Sequence, residues 1–461
     1  MAKFSKNPTL ATNCSAVVQP SGKTITITQK GDTLTVTAPS RKVIMNTAQT
    51  SPQQPTDKPK QLPQTLKGFR DFLPTEARKR QWLKARIAAV FELWGYDPLE
   101  TPTLEALELF KGQIGEDENL FFKFRDSGDR EVALRYDQTV PTCRVVAQNY
   151  QQLPMPFKRY QIQSAYRAEK PQKGRYREFT QCDADIFGVA SPLADAEVIA
   201  LGLDVYRKLG FPQAKVLIND RELMKGLPYE AIVAIDKLAK IGPDGVIADM
   251  VGKGISAADA KNYLQTVTNL KPNQTVMTIL NYLKKQGFSE DWYEFNPTIA
   301  RSFSYSTGPI WEIVIPGSSG GSVLGGERFD KLIERISGLS IPATGFGLGF
   351  DRTLEAAEEF NLIPTLATAS QVLVTVFDDS DASLQVSLDT AAQLRRDGVN
   401  TELYPASDKL GKQLKYANKK GVPYVVVIGE DERSQGKVLL KNMASGEQTL
   451  MKVGEVHSSI S

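Results

Sequence analysis

Histidine is almost missing from this chain. Among 461 residues the only one is His457, four residues from the end, in a tail expected to fray. That scarcity argues against a Ser-His-Asp triad, a Cys-His pair, a His-ligated metal and a His general base. Cysteine is scarce too. Cys14, Cys143 and Cys182 are odd in number, far apart and without CxxC spacing, so they support neither a disulfide framework nor a zinc site. They suit a reducing cytoplasm, the expected location. No apolar run approaches the roughly 18 residues of a membrane span, so no membrane contact is expected. The opening MAKFSKNPTLATNC lacks a signal-peptide apolar core. It is acid-poor and rich in Ser/Thr, as organellar presequences are, yet it has no arginine and Pro8 interrupts any amphipathic helix. Net charge is +3, but residues 1–66 carry eight Lys/Arg against two Asp/Glu, so the remainder is slightly acidic. Any RNA contact in the body must therefore be local and shaped.

What is present divides into segments. Residues 1–66 form a basic extension. Its KTITITQKGDTLTVTA (Lys23–Ala38) alternates like a β-hairpin around Lys30-Gly31-Asp32, and the stretch from Asn46 to Thr65 is a Pro/Gln/Thr linker. The body begins near Gly68. Pro74 opens a helix to about Trp94 with Leu83, Ile87, Val90, Phe91 and Trp94 on one face, and Gly95 stops it. Val132–Arg135 reads as a strand ended by Tyr136-Asp137-Gln138-Thr139-Val140-Pro141. A strand–basic loop–strand unit spans Phe157–Gly188, and a helix runs from about Leu193 to Leu209. Residues 67–221 and 298–362 group as two parts of one domain. Between them, 222–297 reads as a helical insertion broken at Gly242-Pro243, Gly252–Gly254 and Pro272. TGFGLGF (Thr344–Phe350) is a strand whose alternate glycines leave one face bare for a ligand or another backbone, and Asp351-Arg352 open a helix. From Gln371 a β-α-β-α-β rhythm, closed by two further strands, reads as a doubly wound α/β domain over 371–461.

The Phe157–Gly188 stretch concentrates chemistry. Arg167, Arg175 and Arg177 lie within eleven residues, with Glu169, Asp183 and Asp185 interleaved and Phe179 lying between these charged residues. One reading is a solvated charged hairpin. The other is a nucleotide site: guanidinium forks for phosphate, an aromatic for a base, carboxylates for N–H groups.

The wording of several segments resembles the histidyl-tRNA synthetases, a class II aminoacyl-tRNA synthetase family. Tyr166-Arg167-Ala168-Glu169 through Arg175-Tyr176-Arg177-Glu178-Phe179 resembles motif 2, Gly345–Arg352 motif 3, and the first helix with Pro102 motif 1. LRYDQTVP, EKPQKGRYREFTQCDADIFG and KLGKQLKYANKKGVPYVVVIGEDE resemble that family in the expected order. The resemblance implies an α+β fold: an antiparallel sheet flanked by helices, with an inserted helical subdomain and a C-terminal α/β anticodon-binding domain. It further implies activation of histidine by ATP, with Mg²⁺ on the triphosphate, followed by transfer to tRNA(His), and a homodimer. No metal-ligand cluster is read from spacing.

Carried over residue by residue, the resemblance puts Arg167 on the α-phosphate, Arg175 and Arg352 on the β/γ end, Phe179 on adenine and Glu169 near the base. Arg301 matches the additional cation that touches both α-phosphate and amino-acid carboxylate. Asp137, Thr139 and Gln181 would hold the α-amino end, Asp185 would accept an imidazole N–H, and Gln172 would face the tRNA acceptor. Two departures stand out. Where the family has RGLDYYTG, this chain has Arg301-Ser302-Phe303-Ser304-Tyr305-Ser306-Thr307-Gly308, so Ser306 replaces a pocket tyrosine beside Tyr305. Where the family has GGGRYD, this chain has Gly325-Gly326-Glu327-Arg328-Phe329-Asp330, which loses a second tyrosine hydroxyl. Lost hydroxyls weaken discrimination in a site that reads polar groups. Two alternatives therefore stay open: a non-catalytic paralogue like the regulatory subunit of ATP phosphoribosyltransferase, and a synthetase-like enzyme for another amino acid.

Overall fold

The computed structural model describes residues 62–112, 120–171, 174–300, 305–365 and 367–460, together with the backbone of two strands in the extension. Those two, Thr24–Gln29 and Asp32–Thr37, pair antiparallel as the alternation predicts. The extension, Met1–Gln64, is a unit separate from Thr65–Ser461.

An eight-stranded sheet organises the second unit. Its order is Tyr293–Phe295, Lys215–Asp220, Pro309–Val314, Ser322–Arg328, Ala343–Gly349, Glu178–Phe187, Phe157–Tyr166 and Asp97–Pro98, antiparallel except for the outermost pair at each edge. Because strand side chains alternate, the sheet has two chemically different faces. One carries Cys182, Ala184, Ile186, Trp311, Ile313, Leu324, Phe346 and Leu348, all buried in one core with Leu83, Ile87, Val90 and Phe91 of the first helix, Pro74–Leu93. Trp94, expected on that apolar face, sits at its edge and donates its indole N–H to Asp204 Oδ2 at 2.9 Å. Gly326 is a glycine for a packing reason: a Cβ there would stand 2.2 Å from the Trp311 ring.

The spine of this core is the helix Pro192–Leu209. Ser191 caps it by accepting the Leu193 N–H, proline occupies its first turn, and Gly210 ends it in the left-handed region at φ 92°. Thirteen of its eighteen residues are buried, as befits a helix covered by a sheet and by further helices. Within the region read as a helical insertion, Tyr229–Ile235, Leu238–Gly252 and Ala257–Thr268 share a core of their own. Gln274–Lys285 differs: Val276, Ile279 and Leu283 pack into the main core, and the strand after it, Tyr293–Phe295, extends the large sheet.

The helix Thr139–Asn149 replaces the irregular end expected after the Val132 strand. Pro141 does not break it, because proline in a first turn removes an N–H that has no intrahelical partner anyway. The C-terminal sheet is ordered Thr401–Leu403, Val372–Val374, Tyr424–Val427, Val438–Asn442, Gln448–Met451. Its first three strands are parallel and its last two antiparallel. Helices Asp381–Arg396 and Leu410–Lys420 contribute to two separate cores of this sheet. The chain end does not fray as expected: Val456–Ile460 is a short helix pinned by fully buried Val456. Among the described residues no helix is long and apolar enough to cross a membrane.

Candidate active site

The other face of the sheet lines a cavity of about 880 Å³. Register explains which residues meet there. Asp185 lies across from Gly345, Asp183 from Gly347 and Gln181 from Gly349, while Glu327 and Gly325 flank the same glycines on the far side. Ten of the thirteen residues singled out from the sequence line it: Asp137, Thr139, Arg167, Glu169, Arg175, Phe179, Gln181, Asp185, Tyr305 and Arg352. Ser306 sits at its margin and donates its hydroxyl to Glu327, a lining residue. Arg301 and Gln172 lie outside the described residues.

One end is cationic and aromatic. Arg167 lies between two rings, its guanidinium carbon 4.3 Å from the Tyr136 centroid and 5.1 Å from that of Phe179. Arg175 reaches Glu169 at 3.2 Å. Arg352 donates to the Ser322 carbonyl at 2.7 Å, anchoring the start of the helix Phe350–Glu359 to the neighbouring strand. Burial pulls the Arg352 guanidinium below its usual range, and the charges of Arg175 and Arg167 add to that effect, opposed by Glu312 and Glu355. A buried guanidinium whose charge is disfavoured in this way, with two more beside it, makes a site that gains from an anion. Behind them, Arg80 donates to Asp351 at 2.6 Å and to Thr180 at 3.0 Å, and Arg70 reaches the same Asp351 oxygen at 2.9 Å. This ties the first helix to the residue preceding Arg352.

The opposite end is acidic and buried. Asp137 accepts the Val140 N–H at 3.1 Å, which caps the Thr139 helix, and burial raises its carboxyl, with Val140, Arg167 and Arg159 opposing. Asp185 is paired with Arg159 on the adjacent strand, where both side chains are almost wholly enclosed. Burial pushes the Asp185 carboxyl up to about 6, Arg159 pulls against this, and the Asp137 charge adds to it. Asp183, held by the Gln181 amide at 2.8 and 3.0 Å, is pushed up to about 8, chiefly by burial, with Arg159 opposing and Asp185 adding. Gly345 is what lets Asp185 occupy this place: a Cβ there would be 1.7 Å from Asp185 Oδ1 and 2.8 Å from the Ala184 carbonyl oxygen. The bare face read from the alternating glycines is thus partly filled by carboxylates.

Asp183, one of the carboxylates interleaved with the arginines, had no assigned role, and Arg159, Glu312 and Glu327 were not singled out as site residues from the sequence. Each sits on a strand at a position facing the cavity side, and for the last three only the register between strands reveals it. Among the described residues no group of three or more His, Cys, Asp or Glu side chains could hold a metal alone.

The histidyl-tRNA synthetase family model matches residues 68–241 and 246–353. This chain belongs to the histidyl-tRNA synthetase family. An anticodon-binding domain model matches 371–461, so the segment resembling that domain is present beside the synthetase body. Among curated relatives, the histidine–tRNA ligase of Cytophaga hutchinsonii is 35% identical over 447 residues, covering 86% of this chain and 98% of that protein. The one from Wolinella succinogenes is 37% identical over 422 residues, covering 84% and 95%. The crystal structure of histidyl-tRNA synthetase from Nostoc sp. superposes with a TM-score of 0.74 at 26% identity, covering 86% of this chain and 98% of that one. The α+β architecture expected from the resemblance is the one found: a large antiparallel sheet flanked by helices, followed by the anticodon-binding fold.

Proposed function

We propose that this protein condenses histidine with ATP to histidyl-adenylate and passes the histidyl group to the 3′ end of tRNA(His). The observation that carries this reading is the polarity of a single cavity in a chain of this family. Arg167, Arg175, Arg352 and Phe179 line it together with Asp137, Gln181 and Asp185, and Phe179 and Asp185 stand toward opposite ends of the strand Glu178–Phe187.

In the first step a carboxylate oxygen of histidine bonds to the α-phosphorus and the bond to pyrophosphate breaks. In the second the ribose hydroxyl of tRNA displaces AMP from the acyl carbon. Both need alignment and charge stabilisation more than a protein acid or base, which suits a chain with one distal histidine. Arg167 holds the α-phosphate, Arg175 and Arg352 the β/γ end, and Phe179 stacks on adenine with Glu169 at its edge. Asp137, Thr139 and Gln181 take the α-ammonium, and Asp185 accepts a ring N–H. Arg301 bridges α-phosphate and substrate carboxylate, and Gln172 meets the acceptor end. Glu312, which lines the cavity within the field of Arg352, would be the side chain to hold a magnesium ion, which would supply charge neutralisation on the triphosphate. The anticodon-binding match over 371–461 weighs against the regulatory paralogue. A homodimer in a reducing cytoplasm completes the reading; Cys143 and Cys182 are buried free thiols.

ATP–pyrophosphate exchange with each amino acid in turn tests it. Exchange confined to histidine, and abolished in Arg301→Ala with ATP binding retained, is expected. Exchange with another amino acid, or none with histidine, would overturn the assignment.

A further inference from the structure

The acidic end holds carboxylates that the assigned roles do not use, and Glu327 is one of them. Glu327 is 5% exposed, lines the cavity, and stands on the strand Ser322–Arg328 opposite Gly345, which itself stands opposite Asp185. Two carboxylates therefore flank Gly345, and the side chain it lacks leaves room that Asp185 Oδ1 enters from one side. Neighbouring strands lie about 4.8 Å apart, so the backbones carrying these two acids are roughly 10 Å apart across Gly345. Both acids line the cavity from either side of Gly345, the placement that N–H donors on two sides of a flat five-membered ring would meet. The neighbouring hydroxyl offers no substitute, since Ser306 directs its own to Glu327. Phe329 contributes only a ring, packed edge-on against Tyr305 and Phe187.

We propose that Glu327 reads the substrate side chain: it receives one ring N–H while Asp185 receives the other, so that histidine is bound as its imidazolium. The inference rests on the histidine reading above and sharpens it. A neutral imidazole has one N–H and one lone pair and would turn that lone pair toward a carboxylate; the imidazolium donates at both nitrogens. The groups facing Glu327 allow a cationic ring. Asp185 stands across Gly345 with Arg159 behind it, Asp183 lies next along that strand, and Glu312 is on the adjoining strand. Asp137 and Arg167 also line the cavity, Arg221 is near enough to feel the Glu327 charge, and Tyr305 and Ser306 come from the segment before the strand Pro309–Val314. Arg159 occupies one oxygen of Asp185, Oδ2.

The test is the KM for histidine in pyrophosphate exchange by the full chain from pH 5.5 to 8.5, with the KM for ATP followed alongside. Free imidazole titrates near 6.5, so the histidine KM is expected to rise about tenfold per pH unit above that value while kcat and the KM for ATP hold steady. In Glu327→Gln, which keeps size and hydrogen-bonding capacity, the slope is expected to vanish and the KM at pH 6 to rise at least tenfold. A ring-fluorinated histidine, whose imidazole stays neutral over this range, should compete at least a hundredfold more weakly than histidine at pH 6. A wild-type KM that stays flat or falls with pH overturns the proposal without any variant, as does a Glu327→Gln enzyme that keeps the wild-type slope. Exchange absent with histidine at every pH overturns the parent reading as well, so the two failures are distinguishable.

Discussion

Gly345→Ala is the smallest change that strikes the acidic end of the cavity. The new methyl would sit 1.7 Å from Asp185 Oδ1 and 2.5 Å from its carboxyl carbon, where ordinary contact begins at 3.4 Å. The third neighbour, the Ala184 carbonyl oxygen at 2.8 Å, belongs to a paired strand and has little freedom to retreat. Asp185 must therefore swing away, and in doing so it leaves Arg159, which is fully enclosed. Breaking a buried ion pair costs about 3–5 kcal/mol, so urea unfolding should show a loss of that order. Losing a hydrogen bond to a charged group is worth about 1.5–3 kcal/mol, so the histidine KM should rise roughly 10- to 150-fold, with the KM for ATP nearly unchanged. A double-mutant cycle isolates the cause: in an Asp185→Ala background the same Gly345→Ala change should cost far less, because the clashing carboxylate is gone. Gly345→Ala with wild-type stability and histidine KM, or an equal cost in both backgrounds, would refute the reasoning.

Asp183→Asn tests the buried acid beside this pair. The Asp183 carboxyl is raised from 3.8 to about 8. The stability it contributes is therefore fully present below about pH 4 and lost as pH rises through 8. Over that window the folded state holds a proton the unfolded state has released, at about 1.4 kcal/mol per pH unit. The variant should thus gain on wild type between pH 5 and 8 in urea titrations, by up to about 4 kcal/mol, and a pH-independent difference would contradict this. Phe179→Ala should raise the KM for ATP roughly 5- to 150-fold, as loss of about 1–3 kcal/mol of base stacking implies, and leave the histidine KM alone. Arg80→Met strands Asp351 among buried groups and should cost about 3–5 kcal/mol in unfolding; a loss below 1 kcal/mol would show that Arg70 alone holds Asp351.

Much of this was legible in the sequence because the signals are local. Alternation marked the strands, Pro74 and Gly95 bounded the first helix, and the arginines of the 157–188 stretch share one hairpin. The helix at Thr139 was hidden by Pro141, which reads as a breaker until its place in the first turn is known. The Gln274 helix resembles its polar neighbours in sequence, and only the tertiary contacts of Val276, Ile279 and Leu283 separate it from them. The chemistry of Asp185 was half legible. Its presence in the pocket followed from the motif, whereas its partner Arg159 depends on antiparallel register, and Glu327 depends on two further strand pairings. None of these leaves a mark in the spacing of residues along the chain.

The measurement that bears most directly on the central claim is aminoacylation of bulk tRNA, run separately with each labelled amino acid and ATP–Mg²⁺. The account predicts acid-precipitable label from histidine alone, confined to tRNA(His) and lost in Arg167→Ala. Adenylate formation with no transfer to any tRNA, or charging with a different amino acid, would contradict it.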